Sequence, residues 1–402
     1  MLYDVIVVGA GPAGSIAAYK CARLGLRVLL IDKAVYPRDK PCGGGISVRS
    51  IEALKTAGIK IPSYLVEQEI FGLNLMGPDG IPFVLKCSRR LAYIVKRGRF
   101  DHFLAKEAVR TGAEFLDGCP LIQIKQFPDQ IICQTKKGNF RGRLVIGADG
   151  AASTVGRLTG LRKPVKANEI GVAVEVDVPI SERLWDAVLD PTLIIVWFLN
   201  IPYGYFWAFP RKQSLSVGVG GMADRLGNAP KLLRGLSKRF CKHFNIQPFT
   251  LQNIKGHMLP VFRKLIPLTS NRVLLIGDAA GFIDTFSGQG ICYALESGLI
   301  AAHVAEQITR KNQKLPEALS NYSTLINRRF GEELRYSWTV ARIIHGHLYG
   351  GLRAARFLKS IGSALFDLAL GKIDYYQMKR NPISYLLKLF VYELQGRLMQ
   401  SP

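Results

Sequence analysis

Three groups of residues have types and spacing that could do chemistry. The first is Gly9-Ala10-Gly11-Pro12-Ala13-Gly14, with Asp32 and Lys33 further along. Glycines at this spacing bring bare backbone N–H groups to a pyrophosphate, and an acid about 20 residues on accepts hydrogen bonds from ribose hydroxyls. The second is "KPCGGGIS", Lys40 to Ser47, where Cys42 precedes Gly43, Gly44 and Gly45. A thiol can donate a proton or orient a substrate, and glycines permit positive φ and close approach. The third is "YFWAFP", Tyr205 to Pro210, with Tyr205, Trp207 and Phe209 at alternate positions. On a strand these three rings share one face and make an apolar wall.

These groups need elements to hold them. Tyr3 to Val8 is apolar and rich in β-branched residues, which predicts a buried parallel strand. A helical pattern runs from the glycine motif to Leu24, with Gly25 as its stop, and Arg27 to Ile31 forms the next strand, ending on Asp32. In this βαβ setting Gly9 allows the tight turn, Gly11 lets a pyrophosphate approach, and Gly14 lets the helix pack on the strand. Pro12 and Ala13 open the helix whose positive end faces the phosphates. The motif alone does not separate a flavin from a nicotinamide dinucleotide.

Two later segments repeat the strand-to-loop pattern. Arg143 to Ile146 runs into Gly147-Ala148-Asp149-Gly150, followed by Ser153 and Arg157. Val273 to Ile276 runs into Gly277-Asp278, and Gly288-Gln289-Gly290 opens a helical stretch, Ile291 to Ile308. Asp278 is placed to bond a ribitol or ribose hydroxyl. The N–H groups around Gly288, Gly290 and Ile291 can meet an anionic ring or pyrophosphate, and Asp149 with Gly150 can buttress a cofactor.

In this order the three motifs resemble the flavoproteins of the p-hydroxybenzoate hydroxylase fold group, where all three serve one FAD. The resemblance implies that Arg97, in "VKRGRFDHFLAKEA", reaches the FAD. Two positions depart from the pattern. Thr285 stands where proline is usual, and Gly156 stretches the segment before Arg157.

"PCGGGIS" and "YFWAFP", the latter followed after seven residues by Gly218-Val219-Gly220, resemble the geranylgeranyl reductases more narrowly. That family saturates isoprenoid double bonds with reduced flavin. The resemblance implies FAD as cofactor, with Gly43 and Gly44 against it and Cys42 near its ring. It implies a prenyl chain along Tyr205, Trp207 and Phe209, and Cys42 or Tyr205 as proton source. A buried, inert thiol is the other reading of Cys42. The substrate would be an isoprenoid lipid or a prenyl diphosphate. NADPH and ferredoxin, or another electron-donor protein, are both allowed as reductant.

The expected fold is α/β: a Rossmann-like FAD-binding domain, an inserted antiparallel-sheet substrate domain and a C-terminal helical region. The expected boundaries are 1–70, 91–165 and 269–310 for the first, 71–90 and 166–268 for the second, and 311–402 for the third. Rival readings are a flavin-dependent monooxygenase or halogenase of the same fold, or a membrane-associated flavin electron carrier. The WxWxIP pattern of halogenases is absent from the sequence.

Composition narrows the partners. The net charge is +24 over 402 residues, which favours an anionic partner. No nucleic-acid module is recognisable, so an anionic membrane surface fits better. Residues 301–402 hold 15 Lys and Arg against 7 Asp and Glu, and the stretches 342–370 and 383–394 read as basic amphipathic and apolar helices. The seven cysteines are irregularly spaced, without metal-ligand pairs, which suggests thiols in a reducing compartment. The N-terminus lacks a basic leader, and no apolar run reaches the roughly 18 residues of a spanning helix. A cytoplasmic protein, peripheral at the membrane, is the expected location.

Overall fold

The computed structural model describes residues 1–349 apart from 182–184, 186–188, 200, 202 and 312, with side chains described to Arg342. The stretches expected to be amphipathic at 342–370 and apolar at 383–394 therefore lie outside the described residues, except where the helix Glu332–Tyr349 enters the first.

The apolar run at the N-terminus forms the strand Leu2–Val8 at the centre of an eight-stranded sheet. It pairs in parallel with Val28–Ile31 on one side and Gly138–Gly147 on the other. Glu114–Leu116 and Val273–Leu275 extend the sheet in parallel on either flank. All four residues of Val28–Ile31 are buried, as expected of a strand covered on both faces. The helices Pro12–Arg23, Arg97–Arg110 and Ile291–Thr309 pack together against it. The predicted strands and helices of this region appear within one or two residues, except that the strand predicted from Arg143 begins at Gly138.

A seven-stranded sheet holds the aromatic segment. Its order is Lys255–Leu259, Gly171–Pro179, Ser214–Met222, Tyr205–Pro210, Leu193–Trp197, Gly72–Met76 and Pro82–Lys86. Neighbours are antiparallel except Leu193–Trp197 against Gly72–Met76. That parallel pair is possible because a long connection, not a hairpin, separates the two strands. One face packs on the helix Ala229–His243 through Val174, Val176, Val217, Val219, Phe206 and Phe240. The opposite face is turned toward the motifs of the first sheet. A small third sheet, Gly45–Ser47, Ala92–Val95 and Val66–Ile70, begins where the glycine loop ends. No described helix is long and apolar enough to cross a membrane.

Candidate active site

The glycine motif is shaped by what its backbone touches. Gly9 has φ +105°, and a Cβ there would lie 2.3 Å from the Ala148 carbonyl oxygen. A Cβ on Gly14 would lie 1.7 Å from the Gly9 carbonyl oxygen, so only glycine lets the helix close on the turn. Gly11 caps the helix Pro12–Arg23, and among the described residues no side chain caps its first-turn N–H groups. Those donors are left for a ligand. The Asp32 carboxylate accepts from Ala10 N–H (2.7 Å) and Ala34 N–H (2.8 Å), which ties the second strand's end to the turn.

The other two motifs converge on the same space. Asp149 accepts from Ser153 Oγ (2.5 Å) and Val155 N–H (2.9 Å), so its carboxylate caps the helix Thr154–Leu158. Asp278 is half-buried, and desolvation pushes its carboxyl up against the opposing pull of Lys40, Arg97 and Arg162. Arg162 donates to the carbonyls of Asp278 (2.7 Å) and Ala279 (3.0 Å), fixing that loop. Arg157 is exposed, and the Arg162 side chain does the bridging. Gly290 caps the helix Ile291–Thr309, again without a side-chain cap. Thr285 donates from Oγ1 to the Phe262 carbonyl (2.6 Å), an anchor that proline could not make.

Arg97 is buried and holds Asp101 through Nε (2.8 Å) and Nη2 (2.9 Å). Arg38 binds the same carboxylate at 2.8 Å. The Arg97 guanidinium also stands beside the Cys42 thiol. The glycine loop thus begins against the first sheet's cations.

It ends against the second sheet. Cys42 N–H donates to Glu175 Oε1, the Cys42 carbonyl accepts from Arg211 Nη2 (3.2 Å), and Arg211 pairs with Asp177. Lys40 touches His257, and Asp39 pairs with Lys255. Burial and the neighbouring Arg97 bring Lys40 down to about 8. Burial and Lys40 bring His257 down to about 3, so the imidazole is neutral at neutral pH. The glycines serve this junction. A Cβ on Gly43 would lie 2.8 Å from the Phe209 ring, and one on Gly44, at φ +86°, would lie 2.1 Å from the Val95 carbonyl oxygen. Bare backbone therefore admits Phe209 on one side and the third sheet on the other.

The aromatic strand aims as its alternation predicts. Phe206 faces the core, while Tyr205, Trp207 and Phe209 line the cavity. Trp207 lies over Gly218 and Gly220, where Cβ atoms would come 2.1 Å and 3.6 Å from its ring. This is the physical content of the Gly218-Val219-Gly220 spacing. Tyr205 Oη donates to the Ser287 carbonyl (2.8 Å) and so joins the wall to the Gly288 loop. Leu73, Leu75, Ile194, Val196, Phe198 and Phe286 continue the apolar lining beyond it.

One cavity of about 920 Å³ connects all of this. Gly9, Gly11, Pro12, Ala13, Asp32, Lys33, Cys42, Gly43, Gly44, Arg97, Asp149, Asp278, Gly288, Gly290 and Ile291 line its polar part. Of the predicted site residues only Gly14 is outside the lining, held in the helix–turn contact.

Residues 2–312 match the FAD binding domain family. Digeranylgeranylglycerophospholipid reductase of Thermoplasma acidophilum is 30% identical over 350 residues, covering 84% of this chain and 86% of that protein. The chain belongs to the geranylgeranyl reductase family of FAD-dependent oxidoreductases. The crystal structure of a geranylgeranyl bacteriochlorophyll reductase-like protein from Thermoplasma acidophilum agrees, with 27% identity and a TM-score of 0.77 over 86% of this chain and 88% of that one. A flavin-dependent brominase, 20% identical with a TM-score of 0.71 over 92% and 93% of the two chains, shares the fold alone. FAD is the family's cofactor. The two uncapped helix starts and the glycine-lined cavity between them suit its pyrophosphate and ring.

Sequence reasoning missed Glu175, Arg211, His257, Arg38 and Arg162. One signal was present. In "GVAVEVDVP" the valines alternate with Glu175 and Asp177, which puts two acids on the face opposite the core.

Proposed function

We propose that the protein saturates C=C bonds of an isoprenoid chain. The observation that carries this reading is the continuity of the cavity, from the dinucleotide motifs to an apolar wall closed by Tyr205, Trp207 and Phe209. An oxygen-independent reduction needs a place for a long apolar chain beside the flavin, and a pure electron carrier does not. When bound, the FAD supplies a hydride from its reduced ring. The protein supplies position and a dry setting.

In this reading the pyrophosphate lies at Gly11, Pro12 and Ala13 with Gly9 and Gly14 shaping the turn. Asp32 and Lys33 meet the adenosine end. Arg97, Asp149, Asp278, Gly288, Gly290 and Ile291 meet the flavin end, with Gly43 and Gly44 closing over it. Cys42 and Tyr205 stand at the reacting bond, where the loop and the wall meet. The residues 71–90 and 166–268 act as the substrate domain inserted into the FAD-binding domain.

The substrate class is an isoprenoid lipid or prenyl diphosphate, and the net charge of +24 supports meeting it at an anionic membrane surface. The chain has one dinucleotide motif, so NADPH or a ferredoxin-type protein serves as donor without a nicotinamide domain of its own. Anaerobic incubation of the reduced protein with geranylgeranyl lipids is expected to add two hydrogens per bond by mass. A requirement for oxygen overturns the reading. Flavin reoxidised only by a protein partner establishes the carrier instead.

A further inference from the structure

Adding hydride to an unactivated alkene leaves the second carbon needing a proton. Tyr205 is a poor source. Its hydroxyl already donates to the Ser287 carbonyl, and burial holds its proton more tightly than usual. Cys42 Sγ accepts from Gly44 N–H (3.4 Å) and stands beside the Arg97 guanidinium, so donors already engage its sulfur.

The second sheet offers another acid. Glu175 lies on the cavity-facing side of Gly171–Pro179 and lines the cavity, between Ala173 and the Asp177–Arg211 pair. Its Oε1 accepts from Cys42 N–H. Its Oε2 is buried with no partner among the described residues. Gly218 lies opposite Glu175 in the sheet, and Trp207 lies opposite Gly218. No side chain on Gly218 separates the carboxyl from the indole that forms the wall. Trp207 Nε1 is also buried and has no partner among the described residues. A native protein rarely leaves such groups unsatisfied unless a ligand or a reaction uses them.

We propose that Glu175 is the acid that gives the alkene its second hydrogen. This rests on the reductase reading above. The alkene takes hydride, with both electrons, from the reduced flavin at one carbon. The Glu175 O–H bond breaks and its proton forms the new C–H bond at the other. The alkene is reduced, the flavin is oxidised, and the carboxylate left behind is reprotonated from water. The surroundings suit the role. Burial raises the Glu175 carboxyl to about 7, against the opposing Cys42 N–H, Arg211 and Arg97. Asp177 raises it further, and Lys40, the neutral His257 and the Asp39–Lys255 pair complete the titratable groups packed around the loop and sheet. A proton is therefore available near neutral pH.

The test uses the holoenzyme with Glu175→Gln and Glu175→Asp. Glutamine keeps an acceptor for Cys42 N–H but has no proton to give. It is expected to keep its yellow flavin and slow reoxidation of the dithionite-reduced flavin by geranylgeranyl lipid at least about 100-fold. Glu175→Asp is expected to recover part of that rate. The infrared C=O stretch of a protonated carboxyl is expected in the wild-type oxidised holoenzyme. It should fade as pH rises through about 7 and be missing in Glu175→Gln. Wild-type turnover matched by Glu175→Gln overturns the proposal alone, as does an infrared spectrum unchanged by the substitution. Should Glu175→Gln lose its flavin, Glu175→Asp decides: turnover retained with flavin supports the acid, and flavin bound with no turnover overturns it. Wild-type protein that reduces no lipid overturns the reductase reading, and this step with it.

Discussion

The two large sheets line one cavity with different parts of the chain. The parallel sheet contributes mainly loops at its strand ends: glycine turns, uncapped helix starts, and acids whose side chains brace their own loops, as Asp32 and Asp149 do. The seven-stranded sheet contributes side chains from one face of its strands: Glu175, Tyr205, Trp207 and Phe209. Backbone turns tolerate almost no added atom, whereas a side chain on a sheet face can change without moving the strand. Damage to the first sheet's motif should therefore cost the cofactor. Damage to the second sheet's face should cost the reaction while the flavin stays.

The largest effect should come from Gly14→Val. Even one carbon at this position meets the Gly9 carbonyl oxygen, a backbone atom, at 1.7 Å, with the Ala148 Cβ 3.0 Å away. Relief requires moving the helix Pro12–Arg23 off the sheet, which opens the turn. Overpacking of this kind costs about 1–3 kcal/mol where a core can adjust, and here rigid backbone blocks adjustment. Purified Gly14→Val is expected to carry no flavin absorbance and to melt well below wild type. A variant that retains stoichiometric flavin would break the comparison at its first half.

The next effect concerns stability on the other side. Glu175 is raised from its ordinary 4.5 to about 7, so the folded state holds a proton that the unfolded state has released across that window. Stability associated with the protonated carboxyl is full below about 4.5 and is lost as pH rises through about 7. Glu175→Gln has no such loss. It should match wild type near pH 4.5 and gain about 3 kcal/mol above pH 7, read as a rise in melting temperature by calorimetry at each pH. A gain in stability with a loss of turnover is what a site kept for function predicts. Equal melting curves at both pH values would remove the buried charge from this face.

The same contrast explains what could be read beforehand. The parallel sheet was legible because its site is local in sequence: strand, glycine turn and helix start follow within a few residues, and Gly14 answers to Gly9 and Gly290 to Ile283. The role of Gly218 was legible only as a motif. Its reason, the Trp207 ring lying across it, is a contact between strands. Glu175 meets Cys42 across 133 residues of chain, and Arg211 meets the same loop across 169. No spacing rule reaches that far, because register between strands is settled by the whole sheet. The glycine loop shows the limit most clearly. Three glycines announce a close approach, but the sequence does not say to what, and the structure gives Phe209 and Val95.

Gly218→Ala tests the wall without touching a polar group. Its Cβ would fall 2.1 Å from the Trp207 ring, which must tilt off the sheet. Misplacement by about 1 Å near a reacting bond can cost about 100-fold in rate, and flavin content should be unchanged. A rate within threefold of wild type, about 0.6 kcal/mol, would show that the indole's position is not used.

Cys42→Ala should have the smallest effect, and it separates the two sheets' claims on one residue. The substitution keeps the backbone N–H that Glu175 accepts and the carbonyl that Arg211 reaches. It removes only the thiol, which accepts from Gly44 N–H at 3.4 Å and stands beside the Arg97 guanidinium. If Cys42 orients the substrate and Glu175 supplies the proton, the loss should resemble one modest hydrogen bond, about 1 kcal/mol or about fivefold in turnover, with flavin retained. A loss of about 100-fold or more would move the acid from the sheet to the loop. The Cys42→Ala, Glu175→Gln double variant then discriminates further. Independent roles multiply the two losses, whereas a shared proton path makes the double variant little worse than the poorer single one.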